Sequence, residues 1–236
     1  MKIALCLIIA SLPLLGWGQA EKIRIRYGDA ALAFGQNQGS LSVIYGYDWR
    51  VGKKQKFGIG TGARFTSYLG SNIYHETAPG QITSGSTGPG ILFKNTITAN
   101  VDTLLIASPQ VNSLNAFINL SYQLSAKVLV GFNIDAIGFS FGGTKSGNYI
   151  NGPQGAITSA KPTGFNLLLV SDNDMGSLNS ELYMKYKIKE RLSLKGGVQF
   201  LFTEYTTATE VQQFPEPNDR FRNKALMLML GVSYNF

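Results

Sequence analysis

The chain has 236 residues, a formal net charge of +7, one cysteine, 27 glycines, 11 tyrosines and 14 phenylalanines, and only 15% of its residues are charged. A single cysteine excludes a disulfide framework. The basic residues are spread along the chain rather than clustered, which argues against nucleic acid as a partner and for contact with anionic lipid headgroups.

Met1 and Lys2 precede an apolar run from Ile3 to Leu15, interrupted at Pro13 and followed by Gly16, Gly18 and Ala20. These three regions predict a secretory signal peptide over residues 1–20, cleaved after Gly18 or Ala20, with 21–236 as one domain. The run is short of the roughly 20 apolar residues of a spanning helix, and no later segment approaches that length. Cys6 would leave with the peptide, and so would Lys2, taking the net charge to +6.

Beyond the leader, apolar residues recur at every second position in segment after segment, the period of a strand. The first segment, from about Ile23 to Gly35, changes phase near Gly28, which predicts a bulge. In the second, Leu41, Val43, Tyr45, Tyr47, Trp49 and Val51 share one face. The third sets Phe57, Ile59, Ala63, Phe65 and Leu69 against Gly58, Gly60, Gly62, Arg64, Thr66 and Tyr68. Three successive glycines on one face predict a crowded interior. The fourth alternates from Leu114 to Leu124. The fifth carries Val128, Val130, Phe132 and Ile134 and then shifts phase to Ile137, Phe139 and Phe141. The sixth runs from Leu178 to Ile188 and the seventh from Leu192 to Phe202. In the eighth, Leu226, Leu228, Leu230, Val232, Tyr234 and Phe236 form an uninterrupted apolar face opposite small or polar residues.

Connections after the second, fourth and sixth segments are tight, and those after the third, fifth and seventh are long. That layout predicts an all-β, eight-stranded antiparallel up-and-down transmembrane β-barrel with apolar residues outward. A ten-stranded variant, with a hairpin over 92–98 and 101–107, fits the same pattern. A Greek-key sandwich would not keep its short turns at one end. Arg64, Asp135, Glu181, Lys185 and Lys195 fall on inward faces, where a soluble protein's core would not tolerate them. In a lumen just wide enough for side chains they should pair, as a polar plug or as a gate.

The eighth segment resembles the assembly signal of outer-membrane β-barrels, with Tyr234 and Phe236 as its aromatic positions. The strand layout as a whole resembles small outer-membrane proteins of the OmpA, OmpX and OmpW kind. The segment from Val111 to Phe141 is similar to barrels of the Bacteroidetes type. This resemblance implies a location in the cell outer membrane of a Gram-negative bacterium. It also implies contact with outer-membrane lipids, lipopolysaccharide and the barrel-assembly machinery. It does not imply an activity.

Sites for chemistry are sparse. His75, beside Glu76, has serines nearby at Ser71, Ser84 and Ser86 but no carboxylate orienter, and reads as a surface loop residue. Asp172-Asn173-Asp174 misses the calcium-loop spacing and reads as a polar turn. No catalytic residue, cofactor or metal site is expected. Two apolar runs, Leu104-Leu105-Ile106 and Phe165 to Val170 with Leu167, Leu168 and Leu169 between, lie in the long connections. They read either as strand ends beyond the membrane or as a surface for a protein partner. The expected function is a structural or partner-binding scaffold that displays external loops. The alternative is a narrow pore or lateral transporter for small or lipophilic solutes.

Overall fold

The computed structural model describes residues 23–152, 156–169 and 173–236, so the expected signal peptide and Val170 lie outside the described residues. In chain order the elements are β1 (Arg24–Gly35), β2 (Gln38–Val51), β3 (Phe57–Gly70), β4 (Ile73–Thr77) and a short helix α1 (Gly80–Ser84). Two 3-10 turns (Gly88–Phe93 and Thr98–Asn100) lead to β5 (Thr103–Ile106), β6 (Gln110–Gln123), β7 (Val128–Phe141), β8 (Lys145–Tyr149) and β9 (Ile157–Pro162). The remainder are β10 (Phe165–Leu167), β11 (Asn179–Lys187), β12 (Leu192–Thr207) and β13 (Arg220–Asn235).

Among the described residues, all pairings are antiparallel within one sheet of 13 strands, so the expectation of eight falls short. The extra strands, β4, β5, β8, β9 and β10, are three to six residues long and lie in the long connections, too short for alternation to stand out from their Gly, Ser and Thr neighbours. The long strands pair in the circuit β1, β2, β3, β6, β7, β11, β12, β13 and back to β1. This circuit has no free edge. A second, smaller circuit shares two of its strands. Above Leu228, β13 is released from β1 and pairs through Phe221 and Arg222 with β4. Above Leu201, β12 is released from β11 and pairs through Tyr205 to Thr207 with β9. The path β13, β4, β5, β8, β9, β12 then closes on the β12–β13 pairing. One ring therefore stands on the rim of the other. The hairpin of the ten-stranded variant, over 92–98 and 101–107, does not form: 92–98 holds no strand, and β5 takes β4 and β8 as neighbours.

β7 gains one residue at Ala136, where Ala116 faces Ile137 but Phe117 faces Asp135. The extra residue returns Ile137, Phe139 and Phe141 to the outer face, which explains the change of apolar phase. The bulge expected near Gly28 is absent: β1 pairs without interruption with β2 from Arg24 to Gly35. Ile25 and Tyr27 keep the inward phase of Asp29, Ala31 and Ala33, and Tyr27 is buried as a lumen aromatic.

Along the outer face of the large ring, Leu226, Leu228 and Leu230 are 68%, 72% and 70% exposed. Fully burying one such side chain is worth roughly 1.5–3 kcal/mol, so a band of them in water would be heavily penalised. The inner face carries buried carboxylates, amides and cations. Polar inside and apolar outside, with the circuit of long strands closed, is the solution available to β structure in hydrocarbon. Among the described residues, no helix is long and apolar enough to cross a membrane.

Candidate functional site

Period 2 sends alternate residues of each long strand into one narrow space, and the side chains there are charged at mid-depth. Arg64 on β3 lies 3.3 Å from Asp135 on β7 and 3.8 Å from Glu181 on β11. Glu181 accepts hydrogen bonds from Lys195 Nζ on β12 at 2.7 Å, Asn133 Nδ2 at 3.1 Å and Ser42 Oγ at 3.2 Å. Arg64 also donates to the Asn179 carbonyl at 2.9 Å and to the Asn133 amide oxygen, and its guanidinium lies 5.4 Å from the Phe117 ring. Asp135 accepts from Asn115 Nδ2 at 2.7 Å and from the Asn179 backbone N–H at 3.0 Å.

The five inward charges read from the sequence thus come together, with a sixth that it did not single out. Asp29 on β1 accepts from Lys185 at 2.9 Å and from Lys195 at 3.0 Å. Arg64, Lys185 and Lys195 balance Asp29, Asp135 and Glu181, as buried charge requires. The residues crowd their neighbours: a Cβ on Gly60 would collide with Asp48, whose carboxylate accepts from Asn119 Nδ2 at 2.8 Å and Ser121 Oγ at 3.1 Å.

Toward the long loops the interior turns apolar. Ala31, Ala33, Tyr68, Val111, Leu201, Ala225, Met227 and Met229 are buried in one cluster that continues into the small ring through Leu104, Ile106, Tyr149, Ala160, Tyr205 and Phe221. Leu104 and Ile106 are therefore core residues of that ring, fully buried, while Leu105 is half-buried. Phe165 and Leu169 are exposed and Leu167 and Leu168 half-buried, and β10 pairs with β7, so the two apolar runs do not pair with each other. His75 is not a surface loop residue. It is buried on β4, edge-on to the Tyr205 ring at 5.2 Å, with Nδ1 3.2 Å from the Ile73 carbonyl and no partner for Nε2. Burial pushes its pKa down to about 4.

A further charged cluster went unread in the sequence. Glu204 on β12 points to the outside of the ring yet is fully buried, held by Arg220 at 2.8 Å and Arg222 at 2.7 Å. Residues 163–169 and 173–178 cover it: Thr163 N–H donates to the Glu204 carbonyl at 3.0 Å, and Arg220 and Arg222 both donate to the Asp174 carbonyl. Asp174 also accepts from Leu169 N–H at 2.6 Å, so it serves as a loop clasp. Among the described residues, no group of three or more His, Cys, Asp or Glu could hold a metal ion. Tyr234 and Phe236 are exposed on the outer face with ring centroids 5.3 Å apart, and Tyr45 lies 5.9 Å from Phe236.

No family model and no curated protein sequence matches the chain. Among solved structures it is similar to Neisserial surface protein A, at 10% identity over 90% of this chain and 97% of that one, with a TM-score of 0.39. It is also similar to a major outer membrane protein from Thermus thermophilus, at 14% identity, 90% and 99% coverage and a TM-score of 0.37. A de novo designed transmembrane β-barrel matches at 8% identity, 90% and 94% coverage and a TM-score of 0.34.

Proposed function

We propose that the chain is a Gram-negative outer-membrane β-barrel of the small OmpA, OmpX and OmpW kind. In this reading its eight long strands cross the membrane, its tight turns face the periplasm, and it acts as a non-conducting, non-catalytic scaffold that displays the small ring and its loops outside the cell. The observation that carries this reading is the filled lumen. Arg64, Asp135, Glu181 and Lys195 are 0–1% exposed, and the apolar cluster above them is continuous with the core of the small ring. Side chains buried to this degree along the lumen support a closed barrel, and a small ring built from paired strands supports the role of a platform for a partner. Phe93, Ile157 and Phe214, exposed at 88%, 75% and 83% on the connecting segments, are apolar contacts a protein partner would use. Outer-membrane lipid, lipopolysaccharide and the barrel-assembly machinery are further expected partners.

Single-channel recording on the refolded protein tests the reading: no conductance steps are expected. Reproducible ohmic steps would replace it with the narrow pore. One observation favours a lateral route for lipophilic solutes, the alternative function. Where β11 stops short, a cavity of about 360 Å³ opens on the outer wall among Ile134, Leu168, Leu169, Leu178, Phe200 and Phe202. On its inner side the buried Asn179, hydrogen-bonded to Thr66 at 3.2 Å, stands between that cavity and the lumen.

A further inference from the structure

At the tight-turn end the lumen opens into a cavity of about 200 Å³, away from the long loops and bordering the ion-pair network at Lys185. Arg50, Lys127, Lys185 and Lys187 line it together with one carboxylate, Asp48. The status of each charge matters. Lys185 is committed to Asp29 at 2.9 Å. Both oxygens of Asp48 are occupied, by Asn119 and Ser121, and no ion pair forms between Asp48 and Arg50. Setting Lys185 aside, three cations against one anion leave a surplus of +2 on the cavity wall.

Arg50 is the unusual member. It is 8% exposed, yet its guanidinium makes one side-chain hydrogen bond, a long one of 3.5 Å from Nη1 to Ser121 Oγ. A guanidinium carries five N–H donors, and a buried cation left with so little hydrogen bonding is costly unless something else accepts from it. The deeper cations show what satisfaction looks like in this lumen: Lys195 has two carboxylates, at 2.7 and 3.0 Å. Arg50 has none, and its remaining donors have the cavity as their outlet.

We propose that this cavity is a binding site for a phosphate group, taken by the Arg50 fork with Lys127 and Lys187 closing on it from the rim. The forked guanidinium matches the paired oxygens of a phosphate, and lysines add point charge. The surplus of +2 suits a dianion better than a single carboxylate. The volume lies below the roughly 300 Å³ at which pockets for drug-sized ligands begin, so the cavity fits a phosphate group and little more. Free phosphate and the phosphate of a lipid or other glycerophosphate present the same oxygens. The site does not depend on whether the loops bind a partner.

Isothermal titration of the folded protein in phosphate-free detergent, at fixed ionic strength, tests this with inorganic phosphate and with glycerol 1-phosphate. Saturable binding of one phosphate per barrel is expected. The double variant Lys127→Gln/Lys187→Gln changes two exposed side chains and should weaken binding at least fivefold while heat-modifiable gel migration stays that of the folded barrel. Arg50→Gln should weaken it more than tenfold. If Arg50→Gln does not fold, the lysine variant decides alone. Tighter binding of glycerol 1-phosphate than of phosphate assigns the site to a lipid headgroup, and the reverse assigns it to free phosphate. Absence of saturable binding, an unchanged affinity in the folded lysine variant, or tighter binding of succinate than of either phosphate would overturn the proposal.

Discussion

The two rings share strands β12 and β13, yet their interiors are built on opposite principles. In the large ring the inward residues of β12 include Lys195 and Gln199. Further along the same strand, Tyr205 faces inward, and on β13 Phe221 follows Asn223. Outward, the order reverses: Leu230, Leu228 and Leu226 give way to Lys224, Arg222 and Arg220. The polar filling is confined to the depth away from the small ring: behind Leu226, Leu228 and Leu230 the inward Ala225, Met227 and Met229 are already apolar and buried. Where hydrocarbon lies outside, burying apolar groups inside gains little, and toward the tight-turn end a paired polar network fills the lumen. Where water lies outside, the hydrophobic effect is available again and the core turns apolar.

The sharpest way to break that contrast is to damage the polar interior. Glu181→Gln leaves Lys195 and Arg64 short of a counter-charge and should destabilise the large ring by about 3–5 kcal/mol, the usual cost of an orphaned buried charge. Adding Lys195→Met should recover part of the loss. Urea unfolding followed by gel migration reads both, and strictly additive effects would show that the charges do not act as a network. Next in size, Leu104→Ala removes a fully buried side chain from the small ring and should cost about 2–5 kcal/mol there. Hydrogen exchange should then rise in β4, β5, β8 and β9, with the amides of β2 and β3 unchanged. Equal loosening of both rings would mean that they form one cooperative unit.

The mildest probe is pH. His75 is buried, faces the Tyr205 ring and the Ile73 carbonyl, and has its pKa pushed from 6.5 down to about 4. The unfolded segment binds a proton first, so stability of the small ring is complete above about pH 6.5 and is lost progressively as pH falls toward 4. Exchange rates in β4 and β5 should rise over that window in the wild type and stay flat in His75→Leu. A slope that survives the substitution would assign the effect to another group.

Much of the large ring was legible because its signal is long. Strands of nine to sixteen residues give period 2 room to show, and the phase change at Ala136 could be seen from Ile134 and Ile137 alone. Arg64, Asp135, Glu181, Lys185 and Lys195 were found by the same rule, since a charge in phase with glycine and serine must face inward. The rule failed at Tyr27. Taking Ile25 and Tyr27 as outward placed a bulge at Gly28, and Asp29, the counter-ion of two lysines, was not singled out. The small ring was not legible for another reason. Its added strands are short, their partners are distant in sequence, and the burial of His75, Leu104 and Ile106 arises only when β12 and β13 outgrow their neighbours. The Glu204 cluster shares that origin, because an outward carboxylate becomes buried only once the residues around Thr163 and Asp174 fold across it.

The shared hairpin also dictates an order of events. The large circuit closes when β1 meets β13, two strands from opposite ends of the described chain, and the small circuit needs the same β12–β13 hairpin, through β13 with β4 and β12 with β9. Until that pair docks, both rings have open edges, and β4 and β9 have nothing to add to. Pairings between distant segments form slowly because chain entropy is lost before contacts repay it. A half-assembled intermediate of this chain, without the docked hairpin, would therefore lack the small ring as well as the sealed wall.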